Sequence, residues 1–488
     1  MKWINRFFAG RTAPVSERAA RVFLSNTLSG EREVFISQKP GVVLLYSCGP
    51  TVYGPAQIGN LRSYVFSDTL ARVLAGAQYR VNRVINITDF GHLVSDGDEG
   101  EDKMTKGLKR EGLELTMANM RVLAEQYAAL FMSDLEALNV DTESIRFPRA
   151  SDYIPEQIAL IRTLEQKGYA YRTKQGVYFD TARFHGYGKL GGINVDAQVQ
   201  GSRAQTNSEK RSPADFVLWK PDTKLGWQSP WGMGFPGWHI ECSAMVRSLL
   251  GQEIDIHTGG EDHIAVHHNN EIAQSEAASG RPFARYWLHN AFLTVGGEKI
   301  SKSLGNGFVL ADLIERGFHP LALRYFFLQA HYRSPLSFSW EALAGAAAGL
   351  DRLWATAQRI AEESKRVSHP SEARVNFLAL LRDDLSTPQA LGVLWEALRS
   401  EDYAPEEKWG LIEDAEAHLG LSLINPPRAG AVPESEIPEE VRALLRERNT
   451  ARSGKDFEEA DRLRGEIAQR GYRVDDGPSG AVLTKTTL

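Results

Sequence analysis

Two cysteines, a histidine and a glutamate carry the strongest chemical signal in this chain. Its only cysteines are Cys48 and Cys242. Cys242 closes the run Gly237-Trp238-His239-Ile240-Glu241-Cys242, and fifteen residues later begins a stretch dense in ligand-capable side chains: His257, Asp262, His263, His267, His268 and Glu271. His267 and Glu271 are spaced i, i+4, so on a helix both side chains leave the same face. Cys48 ends the apolar run Val42-Val43-Leu44-Leu45-Tyr46-Ser47, which reads as a buried strand. Cys48, Cys242, His267 and Glu271 are a four-ligand set suited to tetrahedral Zn2+. Spacing alone leaves a blander reading open, with two inert buried cysteines and a solvated polar helix.

The elements that must position these residues read as an α/β fold. After Cys48 comes a loop punctuated by glycine and proline, from Gly49 to Asn60, and then a helical face of Leu61, Tyr64, Val65, Leu70, Val73 and Leu74 that stops at Gly76. Val81, Val84, Ile85 and Ile87 give a second strand ending at Thr88-Asp89. Strand, loop, helix and strand form a βαβ unit, which predicts a parallel sheet with a ligand over the strands' carboxyl ends. A loop entering a helix there offers N–H groups and a positive dipole end to phosphate. Residues 151–235 read as an insertion, with one helix from Pro155 to Gly168 and then a long loop-rich stretch. Tyr286 to Val295 reads as a strand, turned by Gly296-Gly297 into a loop, Glu298 to Asn306, with two lysines and two serines.

Helical periodicity fills residues 336–424, where Pro388 after Thr387 marks a first turn, and prolines mark 425–438 as a linker. Residues 439–488 hold two short helices. The second starts at Asp456 with Glu459 in a capping-box-like pattern, has a face of Phe457, Ala460, Leu463 and Ile467, and stops at Gly471. The expected boundaries are an extension over 1–21, a core over 22–150 and 236–335 split by the insertion, and then the helical, linker and C-terminal segments.

With 488 residues and a net charge of −6, several domains are expected, and wholesale coating of nucleic acid is excluded while a local basic groove is not. Two cysteines so far apart make no disulfide framework, which points to a reducing compartment, the cytoplasm. No run is long and apolar enough to span a membrane. The basic, aromatic start of the chain, with Trp3, Phe7 and Phe8, reads as a disordered leader, and the acidic run Ser95 to Asp102 as a solvated loop that fits no calcium-binding pattern.

Read together, three segments resemble one family. Cys48-Gly49-Pro50-Thr51-Val52-Tyr53 with Gln57-Ile58-Gly59-Asn60 is similar to the first signature of class I aminoacyl-tRNA synthetases, HIGH, and Lys299-Ile300-Ser301-Lys302-Ser303 to the second, KMSKS. The Gly237–Cys242 and His267–Glu271 blocks, with Asn86-Ile87-Thr88-Asp89 and Asp384-Leu385-Ser386-Thr387-Pro388, resemble cysteinyl-tRNA synthetases in particular. The resemblance implies a Rossmann-like parallel-sheet catalytic core with an inserted domain, followed by an all-α helical domain and a small C-terminal anticodon-recognition domain.

It also implies a monomer that converts L-cysteine and ATP, with Mg2+, to cysteinyl-adenylate and passes cysteine to its tRNA. One Zn2+ per chain would sit on Cys48, Cys242, His267 and Glu271. Lys302, Lys299, Gln57 and Asn60 take catalytic positions; Gly59, Asp262, Ser301 and Lys302 face ATP; Gly49, Thr51, Thr88, Trp238 and His257 face the amino acid. The chain departs from the family signature at Gln57, where histidine is usual, and at Asn60 in place of the last histidine. Two alternatives remain at this stage: a ligase that passes cysteine to a small amine, and a weakened paralogue acting by RNA binding.

Overall fold

The run Val42–Ser47 lacks polar alternation because it is the middle strand of a parallel sheet covered on both faces. The computed structural model describes residues 21–90, 103–193, 209–296, 298–299, 307–427, 437–454, 456–477 and 480–485. Its central sheet has five parallel strands in the order Ala284–Asn290, Ile254–Gly260, Val42–Ser47, Arg80–Ile85 and Ile145–Arg146. The chain builds outward from the middle strand on one side and returns much later to fill the other. At the reversal, Ser47 pairs with Thr258. A doubly wound sheet opens its ligand crevice at such a switch point.

The expected helix runs Ile58–Gly76, and Leu61, Tyr64, Val65, Leu70, Val73 and Leu74 are all buried on it. The strand expected over Tyr286–Val295 is instead two strands. Ala284–Asn290 stays in the central sheet, while Leu293–Val295 joins a second one with Leu336–Phe338 and Glu298–Lys299. At the break the buried Arg62 guanidinium donates to the carbonyls of Ala291 at 2.8 Å and Phe292 at 2.9 Å.

The insertion holds more order than its loop-like composition suggests. A helix over Ile154–Gln166 is followed by four antiparallel strands, Ala170–Thr173, Gly176–Phe179, Phe216–Pro221 and Gly234–Pro236. Their core of Leu160, Ile161, Phe179, Phe216, Leu218 and Trp219 also takes in Ile240, Ala244, Ala273 and Ala277 from the helices Trp238–Leu249 and His267–Ser279. The insertion therefore backs the two helices that carry the candidate ligands.

Beyond residue 339 come the helices Trp340–Glu363, Glu372–Arg382, Thr387–Arg399 and Pro405–Leu419, two of them N-capped by Ser339 and Ser371. One hydrophobic cluster runs from Val22 to Ile424, so these helices share the core of the parallel sheet. The last helices, Glu439–Ser453 and Phe457–Gln469, are followed by a hairpin, Tyr472–Gly477 with Gly480–Lys485, that sequence periodicity does not reveal. Asp456 caps its helix as expected, accepting from the Glu459 N–H at 3.1 Å. Phe457 departs from expectation and is 62% exposed. At about 100° per residue it lies roughly 60° from Ala460 and 120° from Leu463, outside the buried stripe. The leader, the acidic run 95–102, and most of the linker lie outside the described residues.

Candidate functional site

The switch point brings the four sequence-selected donors together. Cys48 follows the middle strand, held by its N–H on the Thr258 carbonyl at 3.2 Å. Cys242 lies on Trp238–Leu249, and His267 and Glu271 occupy the first turn and a half of His267–Ser279. The Gln274 amide ties the two helices through the His239 carbonyl at 2.9 Å. The donor atoms of Cys48, Cys242, His267 and Glu271 all lie within 4.8 Å of one another, and all four side chains are buried. A tetrahedral zinc with arms of about 2.0–2.3 Å sets its ligand atoms roughly 3.3–3.8 Å apart. The set fits such an ion with small rotamer adjustments.

A second set, Cys48, His257, His268 and Glu271, meets the same distance test. The outer partners decide between them, because a ligating histidine needs its other ring nitrogen satisfied. His267 meets this need, its Nδ1 lying 2.9 Å from Nδ1 of His239. His257 does not: its Nε2 faces Glu271 Oε2 at 2.8 Å while its buried Nδ1 has no partner among the described residues.

Protonation follows from the same contacts. A hydrogen bond from Cys48 holds the Cys242 thiol down at about 6 against its burial, while burial pushes the Cys48 thiol well up. Burial alone would lower His267, but the Glu271 carboxylate and Cys242 outweigh it and hold the imidazole up at about 10. Glu271 is held below the usual carboxylate range, its own burial overcome by His257 and His267. Without an ion the cluster thus keeps one thiolate, one carboxylate and one imidazolium, leaving it negative and receptive to a cation.

Beside the cluster lies a cavity of about 320 Å³, reached by Cys48, Gly49, Thr51, Gln57, Gly59, Asn60, Trp238 and Asp262. Gln57 caps the amino end of the helix Ile58–Gly76, where free N–H groups suit phosphate. Three buried polar atoms on this wall, Gln57 Nε2, His263 Nδ1 and Asn290 Oδ1, have no partner among the described residues. Such orphans concentrated at one cavity call for a polar ligand. Asn60 Oδ1 accepts from the Gln57 N–H at 3.2 Å, so this residue shapes the turn as well as lining the cavity.

Gly49 is required by close approach: a Cβ there would sit 1.5 Å from the Asn86 carbonyl oxygen, and its N–H donates to Asn86 Oδ1 at 2.7 Å. The next residues are welded to the neighbouring strand end, with Val52 N–H on Thr88 O and Thr88 N–H on Pro50 O, both at 3.0 Å.

Thr88 and His257 sit a layer deeper than the cavity wall. The Thr88 hydroxyl donates to Glu241 Oε2 at 2.8 Å, and the His257 ring stacks on Trp287 at 4.4 Å. Lys299 contributes backbone pairing with Thr294, while Ser301 and Lys302 lie outside the described residues. The chain after that loop returns to the site: Ile58 N–H donates to Phe308 O at 2.9 Å, and Gln57 bridges Val309. Sequence reasoning missed Lys103, whose ammonium lies 5.5 Å over the Trp238 ring at the cavity, and Asn290, and it counted His263 only among ligand-capable side chains. None sits in a spacing pattern that would have singled it out.

Comparison with known proteins identifies a family. The family described as tRNA synthetases class I (C) catalytic domain matches residues 34–348, and the cysteinyl-tRNA ligase anticodon binding domain matches residues 434–481. Cysteine–tRNA ligase 1 of Burkholderia lata is 46% identical, over 94% of this chain and 95% of its own length. The cysteine–tRNA ligase of Treponema denticola is 40% identical over 93% of this chain and 97% of its own, and that of Chlorobaculum tepidum 41% over 94% and 98%. Among solved structures, Mycobacterium tuberculosis methionyl-tRNA synthetase in complex with methionyl-adenylate superposes with a TM-score of 0.52 at 17% identity, over 79% of this chain and 91% of that one. That likeness speaks to the fold alone.

Proposed function

The chain belongs to the cysteine–tRNA ligase family of class I aminoacyl-tRNA synthetases, and from that premise we propose that it activates L-cysteine with ATP and transfers it to the terminal adenosine of a cysteine tRNA. One observation carries the mechanism: Cys48 belongs both to the four-donor set and to the wall of the cavity at the helix amino end. A substrate thiol can therefore reach the donor set while its carboxylate faces the phosphate-binding turn.

Cysteine and serine differ by one atom, and a shape-fitted pocket separates such substrates weakly. Bound at Cys48, Cys242, His267 and Glu271, Zn2+ would supply a soft Lewis acid that favours a thiolate over a hydroxyl. Four protein donors would make a closed shell, so the site would have to expand or loosen one donor to admit the substrate sulfur. Glu271 is the candidate for loosening, since its Oε2 already faces a histidine outside the set, His257 Nε2 at 2.8 Å. Trp238 stands at the cavity edge as a wall for the amino acid, with Gly49 and Thr51 as its floor; Thr88 and His257 support that floor from behind.

Activation needs positive charge and fixed donors where the α-phosphate and the leaving pyrophosphate gain charge. Gln57, Gly59 and the helix amino end provide donors, Asp262 suits the ribose or the α-amino group, and Lys302 with Lys299 brings positive charge beside Ser301, with Mg2+ on the nucleotide. The carboxylate oxygen of cysteine attacks the α-phosphorus, pyrophosphate leaves, and the adenosine hydroxyl of the tRNA then displaces AMP. The match of residues 434–481 to an anticodon binding domain favours tRNA over a small amine as acceptor. The test is cysteine-dependent ATP–pyrophosphate exchange on zinc-loaded protein, followed by transfer to cysteine tRNA. Both are expected; exchange without transfer would redirect the reading to a small acceptor, and no exchange would end it.

A further inference from the structure

The cluster contains more histidine than a four-donor set uses. His268, next to the ligand His267, is fully buried and directs Nε2 at Cys48 Sγ at 3.3 Å. Its Nδ1 lies 2.8 Å from Nε2 of His289, and Nδ1 of His289 lies 2.8 Å from the Thr27 hydroxyl. Thr27 is half-buried and fixed by its own N–H on the Trp287 carbonyl at 2.8 Å. The zinc and cysteine reading above gives none of these three residues a task. Resting on that reading, we propose that Thr27, His289 and His268 form a polarised hydrogen-bond chain that donates into the Cys48 thiolate and so prepares the metal shell to accept the substrate thiolate.

One proton assignment fixes the whole chain. A metal-bound thiolate has no proton to give, so His268 Nε2–H donates to Cys48. His268 Nδ1 must then accept from His289 Nε2–H, and His289 Nδ1 must accept from the Thr27 hydroxyl. In this polarity each imidazole donates through one ring nitrogen and accepts through the other, as a neutral ring does.

Charge explains the need. Cys48, Cys242 and Glu271 bring three negative charges to a dication, and the substrate thiolate adds a fourth, in a cluster where all four donors are buried. A donor chain that withdraws charge from one thiolate makes room for another, and outer partners of this kind commonly change metal-site function by about 10- to 100-fold. Thr27, His289 and His268 are positioning residues in this account, since none touches substrate.

The experiment uses the full-length protein loaded with Co2+ in place of zinc, reading the thiolate-to-cobalt absorption band and its response to added cysteine. Thr27→Val removes only the outermost donor. It is expected to keep one cobalt per chain, move the band to lower energy and weaken cysteine binding by up to about tenfold, with Thr27→Ser restoring both. An unchanged band and unchanged cysteine affinity in Thr27→Val would overturn the proposal. So would loss of one nitrogen donor from the cobalt X-ray absorption spectrum in His268→Gln, which would make His268 a ligand. Absence of any thiolate band in the unmodified protein would bring down the zinc reading itself, and the chain with it.

Discussion

Two buried polar clusters sit in this molecule, and they face opposite ways in charge. At the switch point, Cys48, Cys242, His267 and Glu271 gather acceptors with few donors to match. On the helix Ile58–Gly76, one carboxylate, Asp68, meets three guanidiniums: Arg72 Nε at 2.6 Å, Arg324 at 2.7 Å and Arg83 at 3.2 Å. The surplus there is of donors, and much of it goes to carbonyl oxygens. Arg324 caps Leu419, Leu138 and Asn139, at 2.6, 2.8 and 3.0 Å, and Arg72 also reaches Asn139. Gly420 permits this approach with a φ of +60°, since a Cβ there would fall 2.8 Å from Arg324. A cluster whose surplus is absorbed by the backbone is a staple between elements far apart in the chain. A cluster whose surplus is of lone pairs, with no backbone N–H supply, is a place for a cation.

The largest expected effect breaks the staple alone. Asp68→Asn leaves three buried guanidiniums without their counter-charge, and removing one partner of a buried pair typically destabilises by about 3–5 kcal/mol. Urea unfolding should show that loss while metal content stays at the wild-type value. If metal is lost in the folded state as well, the two clusters are coupled and the distinction fails. The converse variant, Cys242→Ser, should leave the folded chain unable to retain zinc and lower cysteine-dependent exchange by more than about 100-fold, beyond the range of outer-partner changes. Retained zinc by elemental analysis would remove Cys242 from the set.

Acid separates the clusters further. Asp68 is held far below the carboxylate range, its burial overcome by Arg72, Arg324 and Arg83. A depressed folded pKa gives stability that is complete above the unfolded value, about 3.9, and is lost only as pH falls below it. Zinc, by contrast, competes with protons for Cys242, at about 6, and His267, at about 10, so its affinity falls as pH drops from neutrality. A zinc indicator and circular dichroism in one titration should show metal leaving near pH 5–6 from a chain that remains folded. Simultaneous loss of both signals would contradict this.

The contrast also marks what sequence could convey. The acceptor cluster was legible because the chain's two cysteines and an i, i+4 His–Glu pair stand out, and the family resemblance joined them into one set. The Asp68–Arg324 staple spans 256 residues with no local pattern, and an arginine in a helix reads as surface. The central βαβ unit was legible from long apolar runs. The insertion's strands were not, since Ala170–Thr173 and Gly176–Phe179 are too short to display a period, and the same holds for the C-terminal hairpin. His268 was visible as a donor type, but its line to Thr27 exists only in three dimensions.

Glu271 tests the cation side more gently. Glu271→Gln keeps the shape and the bond to His257 but weakens the carboxylate as a ligand. If Glu271 is the donor that yields to substrate, cysteine affinity should fall by about tenfold while zinc is retained. Equilibrium dialysis of zinc beside cysteine titration checks this, and zinc lost before cysteine affinity would assign Glu271 a holding role instead.

Smallest of all is the change at Gln57, where this chain parts from its family's signature. Its Nε2 is buried at the cavity without a partner among the described residues, a neutral donor on the wall that the proposed reading gives to phosphate. An imidazolium at the same place would make a charge-assisted bond, about twice as strong as a neutral one. A difference of about 1 kcal/mol in the transition state corresponds to roughly fivefold in rate. Gln57→His should therefore raise the single-turnover rate of adenylate formation by about that factor, and the gain should shrink as pH rises through the imidazole's titration. Equal rates at all pH values would mean that the helix amino end, with Lys299 and Lys302, already supplies the positive charge this step uses.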